Sequence, residues 1–221
     1  MGEPGYGLIE TMRVREGRIP LWQRHLARLE RSLRELDLPA PSQDLVALVT
    51  PFSGTGDAVL RLEVRDGRAS VTVRASPALE PPAVIAASEP HQPYRHKTTD
   101  RDCFLDARDE AERAEADDAL LLTHAGFVAE GTVWNVFWWD GDMLRTPALD
   151  LGILPGIGRA RVLELVPRVD PGRYARPQVA GKSLFLTNAV RGVVPIASLD
   201  GSPTPPDPRT AELAGRFWPT P

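Results

Sequence analysis

The chain has 221 residues, 42% hydrophobic and 25% charged, a composition that builds a core and excludes disorder along its whole length. A formal net charge of −4 argues against a protein built to grip nucleic acid, and no apolar run reaches the length of a membrane span or opens the chain as a leader, so the expectation is a cytoplasmic globular protein. Cys103 is the only cysteine, which excludes an internal disulfide and a four-cysteine zinc site.

Residues 8–15 read as a strand that ends in a turn at Glu16-Gly17-Arg18. A helix follows, with Trp22, Leu26, Leu29, Leu33 and Leu36 at helical spacing on one face. Arg24, Arg28, Arg31 and Arg34 occupy the other faces, offset by Glu30 and Glu35, and Pro39 and Pro41 stop the helix. Arg28 sits beside the apolar stripe, a position from which a side chain can point into a cleft. A shorter helix is predicted over 43–50. Ser53-Gly54-Thr55-Gly56-Asp57 lacks the lysine and hydroxyl of a nucleotide-binding loop and reads as a plain turn.

Leu60, Leu62 and Val64 alternate with Arg61, Glu63 and Arg65, the period of a half-buried strand. Asp66-Gly67 is a hairpin turn, and residues 69–75 return. Residues 76–94 hold Pro77, Pro81, Pro82, Pro90 and Pro93, with room for a short strand at 83–87, and read as the domain boundary. Beyond it come a helix at 101–116, a buried strand at 119–123 and a turn at His124-Ala125-Gly126. Strands at 133–139 and 143–146 flank an Asp140-Gly141-Asp142 turn. A helix at 156–165, a strand at 184–187, a proline-rich stretch at 202–208 and a helix at 210–218 complete the chain. The expected fold is α/β (α+β) in two lobes: a small N-terminal α/β domain over 1–88, a linker over 89–94 and a larger C-terminal domain over 95–221.

His25, His91, His96 and His124 have no recognised metal-ligand spacing, so no metal site is expected. No Gly-x-Ser-x-Gly elbow is present for a serine hydrolase. Of the 26 lysines and arginines, only Lys97 and Lys182 are lysine. Arginine is the general surface cation here, so a remaining lysine is a candidate for amine chemistry that a guanidinium cannot do. Lys97 lies just after the proline-rich linker, where cofactor sites are favoured. Lys182, at the start of a predicted strand, reads as surface charge. Gly152-Ile153-Leu154-Pro155-Gly156-Ile157-Gly158-Arg159 leads a glycine-rich turn into a helix, which is either a tight turn or a phosphate site made of backbone N–H groups. Glu130 follows a strand, on a turn. A lysine for an aldehyde, an anion site and an acid for a pyridine nitrogen together suggest one cofactor, pyridoxal phosphate (PLP).

Several stretches carry a family resemblance in order along the chain: Ile9-Glu10-Thr11-Met12-Arg13, His25-Leu26-Ala27-Arg28-Leu29, Lys97-Thr98-Thr99-Asp100-Arg101, Glu130-Gly131-Thr132-Val133-Trp134-Asn135, Thr146-Pro147, Gly152-Ile153-Leu154-Pro155-Gly156-Ile157 and Thr187-Asn188-Ala189. With them the chain resembles the class IV, fold-type IV PLP enzymes, which include branched-chain and D-amino acid aminotransferases and aminodeoxychorismate lyase.

The resemblance implies a cofactor held between the two lobes of a homodimer's subunit. It makes Lys97 the Schiff-base lysine and proton shuttle, Glu130 the partner of the pyridine nitrogen, and Arg28 a phosphate ligand. Ile157 and Gly158 become the helix start that holds the phosphate, and Asn188 and Ala189 cofactor-binding positions. Many members have a threonine where Gly158 stands and a hydroxyl residue where Ala189 stands, so weaker but viable binding is implied. The chain also begins late relative to the family, which implies a missing strand pair or a misplaced start. Asp102 stands where branched-chain enzymes have a tyrosine, and Asn188-Ala189 resembles the lyase. The implied activity is therefore release of pyruvate to form 4-aminobenzoate for folate synthesis, with a functional link to aminodeoxychorismate synthase. An amino acid aminotransferase and a cofactor-free binding relative stay open. Arg61 reads either as a ligand for a substrate carboxylate or as an exposed strand cation, and Thr11 and Asn188 are further candidates for the substrate pocket.

Overall fold

A computed structural model describes residues 5–52, 56–76 and 80–219. Ser53, Gly54 and Thr55 of the predicted turn, and Pro77, lie outside the described residues. Contacts divide the chain into two compact units. One holds residues 5–76 and His96–Arg101; the other holds residues 80–95 and 102–219.

The first unit contains β1 (Leu8–Val14), α1 (Trp22–Glu35), α2 (Leu45–Val49), β2 (Ala58–Arg65) and β3 (Arg68–Ala75). The strands form an antiparallel sheet in the order β1-β2-β3. Asp66 and Gly67 both have positive φ, 49° and 67°, which the two-residue turn between twisted strands requires. Period-2 alternation sends Leu8, Met12 and Val14 of β1 and Leu60, Leu62 and Val64 of β2 into one core with Leu29 and Leu33 of α1. α1 stops where Asp37 turns left-handed (φ 51°) and the Leu38 N–H donates back to the Leu33 carbonyl at 2.9 Å. The helix thus ends before Pro39, as expected. The Asp44 carboxylate caps α2 by accepting from the Val46 and Ala47 N–H groups.

The second unit contains β4 (Ala83–Pro90), α3 (Leu105–Arg113), β5 (Asp118–Leu122), β6 (Val128–Gly131), β7 (Asn135–Asp140), β8 (Met143–Pro147), α4 (Ile157–Leu165), β9 (Val169–Gly172), α5 (Arg176–Val179), β10 (Ser183–Asn188), β11 (Gly192–Pro195), β12 (Ser198–Leu199), β13 (Ser202–Pro203) and α6 (Pro208–Arg216). Two five-stranded sheets run in the orders β11-β10-β7-β8-β9 and β13-β12-β4-β5-β6. Leu120, Val128, Val136, Trp138, Leu184 and Leu186 share one core cluster. No helix among the described residues is long and apolar enough to cross a membrane.

The partition differs from the expected domain limits of 88 and 95. β4 pairs in parallel with β5 and β12, so it lies with the second unit. Residues 96–101 lie with the first because the Lys97 carbonyl accepts from the Ile9 N–H at 2.8 Å and Leu8 bridges Thr98. The helix predicted at 101–116 is shorter, α3 being preceded by a 3-10 turn over Asp102–Phe104. Elements of two to four residues, β6, β9, β11 to β13 and α5, were too short to show a period in the sequence.

Candidate active site

In the first unit, the alternation that buries Leu8, Met12 and Val14 also buries Glu10, 2% exposed, on the same strand face. α1 brings His25 and Arg28, one turn apart, against it. Arg28 donates Nε to Glu10 Oε1 at 2.8 Å and Nη2 to Oε2 at 2.6 Å, and His25 Nδ1 lies 2.5 Å from Oε2. Burial alone would raise the Glu10 pKa, but the Arg28 charge, then the His25 charge and the hydrogen bonds, hold it down at about 2. Burial pushes the His25 pKa down, so near neutral pH the ring is uncharged and donates Nδ1–H to the carboxylate, and its charge acts on Glu10 only in acid. Arg28 Nη1 has no partner among the described residues.

Lys97 is fixed to the edge of β1 by backbone pairing. Besides the Ile9–Lys97 bond, the Thr99 N–H donates to the Gly7 carbonyl at 2.8 Å, and the Gly7 N–H donates to Thr99 Oγ1 at 2.8 Å. The Lys97 amine is pulled down to about 7, first by loss of water and then by the charges of Arg28, Arg101 and Arg61, with Glu10 opposing. Near neutral pH a large share of this amine is unprotonated, the form that acts as nucleophile or base. Thr11 and Arg61 face each other across β1 and β2. The Arg61 side chain is 42% exposed and donates to Glu63.

In the second unit, Glu130 lies within β6 and is 3% exposed, rather than on a solvated turn. Both of its oxygens accept from the Leu154 N–H at 3.1 Å, and Oε1 lies 3.1 Å from His91 Nε2. The Asn135 amide donates to the Leu154 carbonyl at 3.0 Å and reaches Glu130 Oε2 at 3.5 Å. A Cβ on Gly156 would lie 2.0 Å from Asn135 Oδ1, so only glycine lets this turn close over the amide. α4 then starts without a side-chain cap. The N–H groups of Ile157, Gly158 and Arg159 find no acceptor among the described residues, and such a helix start attracts anions.

The sequence profile of the family "Amino-transferase class IV" matches residues 7–199. The chain belongs to that family. It is 25% identical over 236 residues to the aminodeoxychorismate lyase of Bacillus subtilis, a match that covers 89% of this chain and 78% of that protein. Its fold matches the fold IV transaminase of Curtobacterium pusillum with a TM-score of 0.82 at 24% identity, covering 96% of this chain and 83% of that one. It also matches the branched-chain aminotransferase of Thermoproteus uzoniensis with a TM-score of 0.84 at 23% identity, covering 96% and 84%.

In this class IV enzyme the residues singled out in the sequence fall into two groups. Thr11, Arg28, Arg61 and Lys97 lie in the first unit, and Glu130, Ile157, Gly158, Asn188 and Ala189 in the second. The Asn188 side chain is engaged locally: its Oδ1 accepts from the Val190 and Arg191 N–H groups at 2.9 and 2.8 Å. Ala189 lies in the turn so formed. Lys182 donates to Asp140 at 2.8 Å on the surface, the plain ion pair expected of it.

Sequence reasoning gave no role to Glu10, His25, His91, Asp118, Asn135 or Thr187. A signal existed for two of them. Glu10 is a carboxylate in phase with Leu8, Met12 and Val14, and Asp118 heads a strand whose next three residues are all buried. Asp118 Oδ1 accepts from the Ala119 N–H, the Thr132 N–H and the Thr132 hydroxyl, at 2.8, 3.2 and 2.6 Å. Burial raises its pKa. These bonds pin the turn that follows Glu130. Asp118→Ala is expected to cost about 2–3 kcal/mol in a denaturant titration, because it removes three hydrogen bonds to a buried carboxylate. A cost below ~0.5 kcal/mol, the level of an ordinary surface change, would show that the turn holds without it.

Proposed function

We propose that this class IV enzyme binds PLP and acts as a 4-amino-4-deoxychorismate lyase, releasing pyruvate and forming 4-aminobenzoate. The observation that carries the cofactor reading is the Lys97 amine, fixed to β1 through its backbone and brought to about 7 by burial and the charges of Arg28, Arg101 and Arg61. Each unit carries groups that suit the rest of PLP: in the first, Arg28 Nη1 is a donor for a phosphate; in the second, the α4 N–H groups without an acceptor among the described residues suit a phosphate, and the buried Glu130 carboxylate suits a pyridine nitrogen. Similarity to the B. subtilis lyase along 89% of the chain supports the lyase reading.

When bound, PLP supplies an aldehyde for an amine and a ring that withdraws electrons from the amine-bearing carbon. The chain's residues do the remainder. Lys97 Nζ, unprotonated, takes the proton from the amine-bearing carbon of the substrate and holds it. Glu130, which accepts from the Leu154 N–H, keeps a proton on the pyridine nitrogen. Arg61, opposite Thr11 and half-exposed, binds a substrate carboxylate as a charge-assisted partner.

The fold matches to two transaminases favour a second reading, amino acid transamination by the same cofactor residues. An absorption spectrum of the purified protein with PLP, before and after adding amino acids, separates them. The expected result is a yellow protein indifferent to common amino acids that forms pyruvate from aminodeoxychorismate. Bleaching by an amino acid with release of its keto acid would assign transamination. A protein that stays colourless with added PLP would end both readings.

A further inference from the structure

We propose that Thr187 is a side-chain ligand of the anion at the start of α4, which on the reading above is the PLP phosphate. Thr187 stands near the end of β10 and is 1% exposed. Its Oγ1 is buried and has no hydrogen-bond partner among the described residues. Buried hydroxyls are nearly always paired, so this one is satisfied by something other than the described residues, a water or a ligand. The location says which. A Cβ built on Gly158 would lie 2.6 Å from this Oγ1 and 2.9 Å from the Asn188 backbone, so the hydroxyl packs directly against the second residue of α4. Gly158 is one of the three residues at the start of α4 whose N–H groups find no acceptor among the described residues.

What gathers there is a set of donors without an acceptor among the described residues: three backbone N–H groups and one O–H. An acceptor-only ligand with several oxygens satisfies such a set, and phosphate is one. The charge balance agrees. Arg159, the third residue of α4, is 5% exposed, donates Nη2 to the Pro147 carbonyl at 3.1 Å and meets no carboxylate among the described residues. A buried cation without a counter-charge adds positive potential to the helix start. Gly158 then has a steric purpose. A residue with a Cβ would push against the Thr187 hydroxyl, so the glycine and the threonine act as one device.

The test compares PLP with pyridoxal, which has the same aldehyde and no phosphate. Apoprotein is titrated with each, followed by absorbance, and inorganic phosphate is added alone in thermal unfolding. For Thr187→Val, which keeps the shape and removes the O–H, the dissociation constant for PLP is expected to rise about ten- to a hundredfold, the value of a hydrogen bond to a charged group. That for pyridoxal should stay within twofold, roughly the error of such a titration, and the stabilisation by phosphate should shrink. Thr187→Ser keeps the donor and should bind PLP as the parent does. Unchanged PLP affinity in Thr187→Val, or equal weakening for both ligands, would overturn the role of Thr187 while leaving the cofactor reading intact. Failure of the parent protein to bind either aldehyde would overturn both.

Discussion

Lys97→Ala is expected to abolish turnover, with a loss in kcat of at least about a thousandfold, because one amine serves as both nucleophile and base. Lys97→Arg should be as inactive, since a guanidinium stays protonated at any accessible pH. The control is Lys182→Ala, whose amine pairs with Asp140 at the surface and which should be fully active. A second readout does not depend on activity. In the unfolded chain this lysine keeps its proton up to about 10.5, while in the folded apoprotein it releases it near 7. Between those values the unfolded state binds more protons, so stability should rise as pH rises. The gain is expected to be about 2–3 kcal/mol, less than full burial would give, because the side chain keeps part of its surface in solvent. Denaturant titrations of the parent and Lys97→Met from pH 7 to 10 should diverge over that window. Parallel curves would mean that the amine is not desolvated, and the case for its reactivity would fall.

The sequence showed most of what local physics decides. The strand at 8–15, the first helix, the 60–75 hairpin and the helix at 156–165 all announce themselves by period or by turn residues, and each is present within a few residues. The scarcity of lysine pointed to Lys97, and glycine spacing pointed to the start of α4. Hidden features were those that depend on pairing over long distances. The companion of Lys97 is β1, about ninety residues earlier, and proline content placed the boundary where strand pairing does not. Glu130 looked like a turn residue because β6 has only four residues. The Thr187 hydroxyl is indistinguishable in sequence from any strand threonine; only the missing partner sets it apart. Asn188, singled out through the family resemblance, makes a local bond that no spacing reveals: its Oδ1 closes the turn after β10.

The Glu10–Arg28–His25 cluster should dominate the stability of the first unit. Glu10→Gln leaves the Arg28 guanidinium buried without its counter-charge, which is expected to cost about 3–5 kcal/mol. Adding Arg28→Met should recover part of that loss, since the second change removes the stranded charge; the double-mutant cycle measures the coupling. Acid should act on the same cluster. Glu10 has a lowered pKa in the fold, so its contribution is complete above about 4.5 and is lost as pH falls toward 2, a change of about 3 kcal/mol. His25, also lowered, is neutral in the fold and protonated unfolded, so its part of the loss begins below about 6.5. Glu10→Gln should flatten the lower limb, and His25→Asn the upper one. Activity gives an independent check, because the Glu10 charge raises the Lys97 pKa. Removing that charge should move the acid limb of the kcat profile to lower pH. If stability falls but the limb stays in place, the cluster serves only as scaffold; a shift in the predicted direction means that the buried carboxylate also tunes the lysine.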